Sequence, residues 1–315
     1  MHERCVIITG ANSGIGKAAA IQFASKGYTV IMACRNLEIS KTAQTEIIKT
    51  ANNRNVHLME VDMSSFHSIR SFCTHFINKF EKADILIHNA AYFNHGEKYQ
   101  LSPDQIELTF ATNVFGPFLM TALLLDPLKK SDDARILFAG SNIIKHFFNE
   151  KTEIYFDNLQ GEYKDSRSHR VYKMYCQSKM ALLLLTFKLA EEYQEDGIKV
   201  NILQINGAKM SKQTINKVKP WWRPIAMVQN LFFPPAAYIA NNYYEICTSD
   251  EFLQTSGKLI NDKLEIMQPA PNEQLGLYKQ LKQIIGSTVY PFYAENLEVK
   301  EQLWELCKKL TDHKL

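Results

Sequence analysis

The sequence predicts an α/β fold built on a single doubly wound parallel sheet, and three observations carry that prediction. Short apolar runs alternate with longer segments of helical period, the first apolar run opens straight into a glycine-rich turn, and turn-forming residues fall at the joins. The strand-like runs are Val6–Thr9, Thr29–Ala33, His57–Val61 and Asp84–Ile87, followed in turn by helical segments Gly16–Ser25, Leu37–Thr50, Ser65–Phe80 and Ser102–Leu128. Arg135–Ala139 reads as a fifth strand, Asn142 to Arg170 as a polar excursion, Tyr172–Gln194 as a helix and Lys199–Ile205 as a β-branched strand. A helix in each crossover makes the sheet parallel. Gly27 stands where a helix C′ glycine belongs, Asp196-Gly197 separates a helix from a strand, and Ser102-Pro103 is expected to open a helix with proline near its first position. Beyond Ala208 the chain reads as a helical appendage, with a short strand near Lys258–Ile260 and a closing amphipathic helix near Leu297–Leu310.

Composition bounds the function classes. The 315 residues are 46% hydrophobic and 22% charged, values of a soluble globular chain, and no Pro/Gly/Ser-rich linker divides them, so one domain spanning 1–315 is expected. The 36 basic and 33 acidic residues leave a net charge of +3, with no dense basic run of the kind nucleic acid requires. Six cysteines, with no C-x-x-C pair among them, fit neither a zinc ribbon nor a disulfide framework, so no metal and reduced thiols are expected. The first strand begins too early to leave room for a signal peptide's apolar core, and no run approaches the roughly 18 to 20 apolar residues of a spanning helix. The expected location is the cytoplasm.

The first strand runs into Thr9-Gly10-Ala11-Asn12-Ser13-Gly14-Ile15-Gly16 and then a helix. Glycines there let the backbone approach a pyrophosphate, while the helix presents free N–H groups and its positive dipole end to the negative charge. This is a dinucleotide site of Rossmann type by mechanism. An NAD-selective site usually has an acid at the end of strand two against the ribose 2′-hydroxyl. Here that end reads Cys34-Arg35-Asn36. Arg35 can pair with a 2′-phosphate, so NADP(H) is expected in preference to NAD(H), which is left open as the alternative cofactor. Lys17, in the first turn of the helix, either adds to that positive field or is a solvated surface charge.

Tyr175-Cys176-Gln177-Ser178-Lys179 sets a phenol and an ammonium four residues apart in a helical segment, hence on one face. A free tyrosine titrates near ~10, and a neighbouring cation is expected to lower that value toward the working range of a general acid/base. The same spacing recurs at Tyr278 and Lys282, read as an exposed face, so context decides between them.

The T-G-x-x-x-G-x-G spacing, with the tyrosine–lysine pair, resembles the short-chain dehydrogenase/reductase family, and over residues 5–262 most closely its retinol-dehydrogenase-like branch. The branch resemblance rests on Ala33-Cys34-Arg35-Asn36, Phe156-Asp157-Asn158-Leu159-Gln160 and Tyr-Cys-Gln-Ser-Lys. It implies that Asp62, with Met63 beside it, meets the adenine, and that Asn89, Ala90 and Ala91 line the nucleotide where the family has Asn-Asn-Ala-Gly. It implies that Ser141, at the end of strand five, orients the substrate oxygen while Tyr175 exchanges its proton and Lys179 tunes it. Asn113, in Thr112-Asn113-Val114-Phe115-Gly116, then anchors a relay to Lys179. Gly207 and Ser211 stand where the family seats the nicotinamide carboxamide. Four positions depart: His88 replaces the first asparagine of Asn-Asn-Ala-Gly, Ala91 its glycine, Gly140 the first of two serines and Asn206 a proline.

Within the single domain the resemblance divides the work. Residues 1–140 are mainly dinucleotide-binding, 141–210 carry catalysis, and 211–315 form the substrate lid and appendage. Trp221, Trp222, Phe232, Phe233, Tyr238, Tyr243 and Tyr244 form an apolar lid in this reading, suited to a small apolar carbonyl or alcohol substrate. The same aromatics suit packing of the appendage or a subunit interface equally well, and a membrane contact is a third alternative that Pro234-Pro235 disfavours. A homo-oligomer, dimer or tetramer, is expected. The expected function is NADP(H)-dependent hydride transfer between nicotinamide and a carbonyl or alcohol carbon. The rival is a dinucleotide-binding regulatory or scaffold protein that kept the fold and lost turnover, motivated by Gly140, Ala91 and Asn206.

Overall fold

The computed structural model describes residues 4–93, 99–159, 171–209, 215, 223–272 and 288–313. Seven strands, β1 (Cys5–Thr9), β2 (Thr29–Cys34), β3 (Val56–Glu60), β4 (Ile85–His88), β5 (Arg135–Ala139), β6 (Lys199–Leu203) and β7 (Lys258–Ile260), form one sheet in the order β3-β2-β1-β4-β5-β6-β7. Every pair is parallel, as crossovers through helices require. The third strand begins one residue earlier than the sequence pattern placed it.

Strand order reverses between β1 and β4, which opens a crevice at their carboxyl ends, the usual ligand position in such sheets. The residues of β1 alternate between two apolar cores. Val6 and Ile8 join the layer that contains Phe23 of α1 (Gly14–Ser25), Ile47 of α2 (Leu37–Ala51) and Tyr243 of α9 (Ala236–Thr248). Ile7 joins the opposite layer, with Phe72 of α3 (Phe66–Lys79), Phe118 of α5 (Gly116–Leu123), Leu183 of α7 (Val171–Glu192) and Trp304 of α10 (Leu297–Thr311). Both sheet faces are thus covered, as apolar strands without polar alternation demand. The C-terminal stretch contributes to this sandwich, since β7 extends the main sheet and α9 packs along α1.

The helix expected at Ser102-Pro103 starts later and is not continuous. Ser102 and Pro103 form a turn instead: Ser102 N donates to Ile106 O at 2.7 Å, Gln105 N to Ser102 O at 3.0 Å, and Gln105 adopts φ 58°. The Ser102 hydroxyl accepts from the Asp104 and Ile106 amides, so the side chain takes donors that a helix would need. The helix begins at α4 (Leu108–Phe110), where the Glu107 carboxylate caps Phe110 N at 2.9 Å. It then passes through a π-turn at Ala111–Phe115 into α5, followed by α6 (Leu125–Lys129). Among the described residues no helix is long and apolar enough to cross a membrane. The last helix before α9 is α8 (Arg223–Phe232).

Candidate active site

At the carboxyl end of β1, Gly10 takes φ +67° and donates its amide to Ala33 O at 2.8 Å, turning the chain toward α1. A Cβ on Gly16 would lie 2.4 Å from Gly10 O and 2.5 Å from Asn89 Nδ2, so only glycine allows α1 to come this close to the turn. Asn89 donates from Nδ2 to Thr9 O at 3.0 Å, and Thr9 Oγ1 accepts from Ala90 N at 2.9 Å. These bonds tie the ends of β1 and β4 together across the crevice. Ser13 occupies the N-cap of α1 without a side-chain capping bond, and no acid stands in the first turn. Gly14, also left-handed at φ +55°, is exposed beside Asn12 and Ile15, which are half-buried. The helix therefore presents its first turn to the crevice, and the residues fit a pyrophosphate.

Arg35 and Asn36 are exposed at the end of β2. Asn36 caps α2, its Oδ1 accepting from Ile39 N at 3.0 Å, while Lys17 pairs with Glu46, which offsets its charge. Cys34 is buried, and its sulfur bonds with Ser40 and the backbone of Ala11 and Asn12; burial nevertheless pushes the thiol upward. Those contacts with Ala11 and Asn12 hold the glycine turn to β2, a role that no motif around Cys34 signals. The half-buried Asp62 accepts from Ser64 N at 2.9 Å and from Ser64 Oγ at 2.7 Å, which fixes the loop after β3. Met63 is buried, and a Cβ on Gly116 would fall 2.1 Å from Met63 O. The glycine three residues after Asn113 is thus dictated by a backbone approach.

The catalytic candidates converge from three elements. Tyr175 and Lys179 share a face of α7, with Lys179 Nζ 5.7 Å from the Tyr175 ring centroid. Ser141, just after β5, hydrogen-bonds the Tyr175 phenol and also accepts from Ile143 N at 3.3 Å. Asn113 lies in the π-turn, 1% exposed, with Nδ2 donating to Tyr92 O at 3.0 Å and Ser178 Oγ at 3.1 Å and Oδ1 accepting from Tyr92 N at 2.7 Å. It clamps the strap after β4 onto α7. Phe93, in the same strap, packs edge-on against Tyr175 at 5.0 Å.

The expectation that Lys179 lowers the phenol is not met in this structure. Burial pushes Tyr175 up to about 12, with only the Ser141 bond opposing it. Burial likewise brings Lys179 down to about 8. The ammonium points elsewhere, donating to Ala139 O at 2.8 Å. Desolvation sets both values.

Three of the departures, Ala91, Gly140 and Asn206, find physical reasons here. Ala91 is exposed and outside the left-handed region, so nothing there requires glycine. A Cβ on Gly140 would lie 2.8 Å from Leu203 O, leaving no room for a serine between β5 and β6. Where proline is missing at Asn206, the loop is braced otherwise: Gly207 at φ +147° lies under Phe233, whose ring would be 2.5 Å from any Cβ, and Lys209 N donates to Pro234 O at 2.9 Å. Sequence reasoning missed this brace because it joins residues far apart in the chain. Ser211, Trp221, Trp222, Tyr278 and Lys282 lie outside the described residues. Tyr243 is fully buried with its hydroxyl 3.3 Å from Asn89 Oδ1, and Tyr244 packs on Phe23 at 5.3 Å, so these two secure α9 to the nucleotide turn and do not form a lid. Phe232 is 83% exposed, and Tyr238 donates to Asp262 O at 2.7 Å.

A short chain dehydrogenase family profile matches residues 4–152. Human retinol dehydrogenase 13 is 32% identical over 284 residues, covering 86% of this chain and 80% of that protein. Mouse retinol dehydrogenase 12 is 32% identical over 267 residues, covering 82% and 78%. Among solved structures, an uncharacterized protein from Mycobacterium paratuberculosis superposes with TM-score 0.69 at 24% identity, over 99% of this chain and 94% of that one. A protein of Shigella flexneri 2a, described as a short chain dehydrogenase and complexed with NADP, gives TM-score 0.63 at 21% identity, over 84% and 98%. Both structural likenesses concern the fold.

Proposed function

Because the chain belongs to the short-chain dehydrogenase/reductase family, we propose that it is an NADP(H)-dependent oxidoreductase acting on a carbonyl or alcohol carbon of an apolar substrate. The observation that carries the proposal is the Ser141–Tyr175 hydrogen bond with the Lys179 ammonium 5.7 Å from the same ring. When bound, the nucleotide supplies hydride exchange at nicotinamide C4. The chain's own residues do the rest. The Gly10–Gly16 turn and the first turn of α1 receive the pyrophosphate. With Lys17 engaged by Glu46, exposed Arg35 is the cation at the end of β2 that meets a 2′-phosphate, which supports the NADP(H) assignment and the NADP complex of the Shigella protein parallels.

Ser141 donates to the substrate oxygen and fixes it beside the phenol. In reduction Tyr175 Oη gives its proton to that oxygen, and in oxidation it takes the alcohol proton. A phenol raised to about 12 stays protonated at neutral pH, the form a proton donor needs. Lys179, brought down to about 8 by burial, donates to Ala139 O and so ties the face of α7 that carries Tyr175 to the end of β5 beside Ser141. Asn113 holds the strap and α7 in register around both. The apolar substrate class follows the retinol dehydrogenase relatives and the aromatic strap at Phe93.

The test is fluorescence titration with NADPH and NADH, then NADPH consumption with a panel of apolar aldehydes and ketones. Tyr175→Phe is expected to keep nucleotide affinity and lose turnover by on the order of a hundredfold or more. Tight NADPH binding with no turnover on any carbonyl would favour a nucleotide-sensing protein, and binding of neither nucleotide would end both readings.

A further inference from the structure

The loop after β6 carries a chemistry that hydride transfer does not use. It reads Gln204-Ile205-Asn206-Gly207-Ala208-Lys209, and Asn206-Gly207 is the one asparagine–glycine pair in the sequence. Asparagine is a thermolabile residue, because the backbone nitrogen of the residue that follows can attack its side-chain carbonyl and close a succinimide ring. A Cβ on that following residue crowds the approach, and glycine has none.

The loop presents each atom of that reaction. The nucleophile is Gly207 N, and among the described residues nothing accepts from it. The leaving group is Asn206 Nδ2, which likewise has no partner there. The oxygen of the electrophile, by contrast, is held: Asn206 Oδ1 accepts from Gln204 Nε2 at 3.3 Å, and Gln204 is fully buried. That donor faces the oxygen on which negative charge grows as Cγ becomes tetrahedral, so it serves as a small oxyanion site. The chain before the reacting pair is anchored, with Asn142 N donating to Ile205 O at 3.2 Å and Asn142 Nδ2 to Asn206 O at 3.5 Å. Asn206 and Gly207 are both half-buried, so water reaches them.

We propose that Asn206-Gly207 is a modification site at which the protein deamidates itself, turning the Asn206 amide into a carboxylate in the loop bonded to the residue after Ser141. Gly207 N forms a bond to Asn206 Cγ, the Cγ–Nδ2 bond breaks, and Nδ2 leaves as ammonia with the proton that Gly207 N gives up. Water then opens the ring, and no oxidant or reductant takes part. Opening at Cγ leaves aspartate. Opening at the former Asn206 carbonyl carbon leaves isoaspartate, whose main chain runs through Cβ and Cγ and is longer by one carbon. That longer link lies between the Asn142 anchor and the ring of Phe233 over Gly207, so Gly207 can no longer sit under the ring. The consequence for the nucleotide rests on the NADP(H) reading above; the deamidation does not.

The experiment follows full-length wild type by peptide mass spectrometry through incubation in warm, mildly alkaline buffer, with released ammonia measured alongside and the free peptide of residues 204–209 as reference. The peptide carrying Asn206 is expected to gain about one dalton, with a matching amount of ammonia and isoaspartate among the products. Asn206→Gln, which would have to close a larger ring, is expected to lose both the mass gain and the ammonia; thermal melting equal to wild type shows that it is folded, and the wild-type series needs no variant. NADPH titration is expected to show several-fold weaker binding by converted wild type than by fresh wild type, while incubated Asn206→Gln keeps its own starting affinity. Asn206 that stays an amide in the protein while the free peptide converts overturns the proposal, as does Asn206→Gln that releases ammonia at the wild-type rate. Converted protein that binds NADPH as fresh protein does overturns the consequence for the nucleotide. Fresh protein that binds no NADPH would end the functional reading instead, and the mass measurement would still decide the modification.

Discussion

His88 gives the most quantitative handle on the fold. It ends β4 at 2% exposure, with its ring stacked on Phe138 at 4.7 Å and 11° and Nε2 2.8 Å from Thr121 Oγ1. Its Nδ1 is buried with no partner among the described residues, and burial drives the imidazole down to about 3. The unfolded chain binds the proton near 6.5, whereas the folded chain refuses it until about 3. Stability from this group is therefore complete above pH ~6.5 and is lost as pH falls toward the folded value, at about 1.36 kcal/mol per unit. From pH ~7.5 to pH ~5 the loss is about 2 kcal/mol, since about 1.5 units lie below the unfolded value. Urea unfolding of wild type and His88→Asn at both pH values isolates the contribution, because His313, also lowered by burial, and every carboxylate are common to both proteins. The variant is expected to lose about 2 kcal/mol less than wild type on acidification. Equal losses would mean that the folded protein protonates His88 freely, and the buried-neutral assignment would fall.

Other perturbations address the site. Arg35→Ser is expected to weaken NADPH on the order of tenfold to a hundredfold and leave NADH nearly unchanged, read by fluorescence titration. Gly140→Ser, which restores the family's residue, should destabilise the protein by about 1–3 kcal/mol in urea, because its Cβ would meet Leu203 O at 2.8 Å. Phe233→Ala removes the ring over Gly207, and NADPH affinity is expected to fall several-fold while the melting temperature barely moves; unchanged affinity would show that the brace does not support the nucleotide site.

The parallel sheet and the glycine turn were legible because both depend on local patterns: alternating apolar runs, and glycines at positions where α1 and β1 nearly touch. Ser102-Pro103 misled because the pair serves a turn as well as a helix start, and the deciding bond runs from Ser102 N to Ile106 O. The four-residue spacing did bring Lys179 beside Tyr175, but spacing says nothing about how much water reaches them, and desolvation sets both values. Cys34 holding Ala11 and Asn12, Tyr243 against Asn89, and Phe233 over Gly207 all join segments distant in sequence, where no periodic signal operates.

The π-turn at Ala111–Phe115 closes through Gly116 N to Ala111 O, one residue wider than an α-turn. That extra residue rotates everything after it by about 100° relative to an uninterrupted helix. Asn113 can then reach Tyr92 and Ser178 while, a turn later, Gly116 slides beneath Met63 O and Thr121 arrives under His88. Removing one of the five residues would let the turn close as an ordinary α-turn with Gly116 and Thr121 still in phase, so the loss would fall on the contacts made inside the segment, those of Asn113 first. The wide turn thus separates two duties within one helix: the residue it adds presents the clamp to the strap and α7, while the helix beyond it keeps the close approach at Gly116 and the partner of the buried histidine whether the turn is wide or regular.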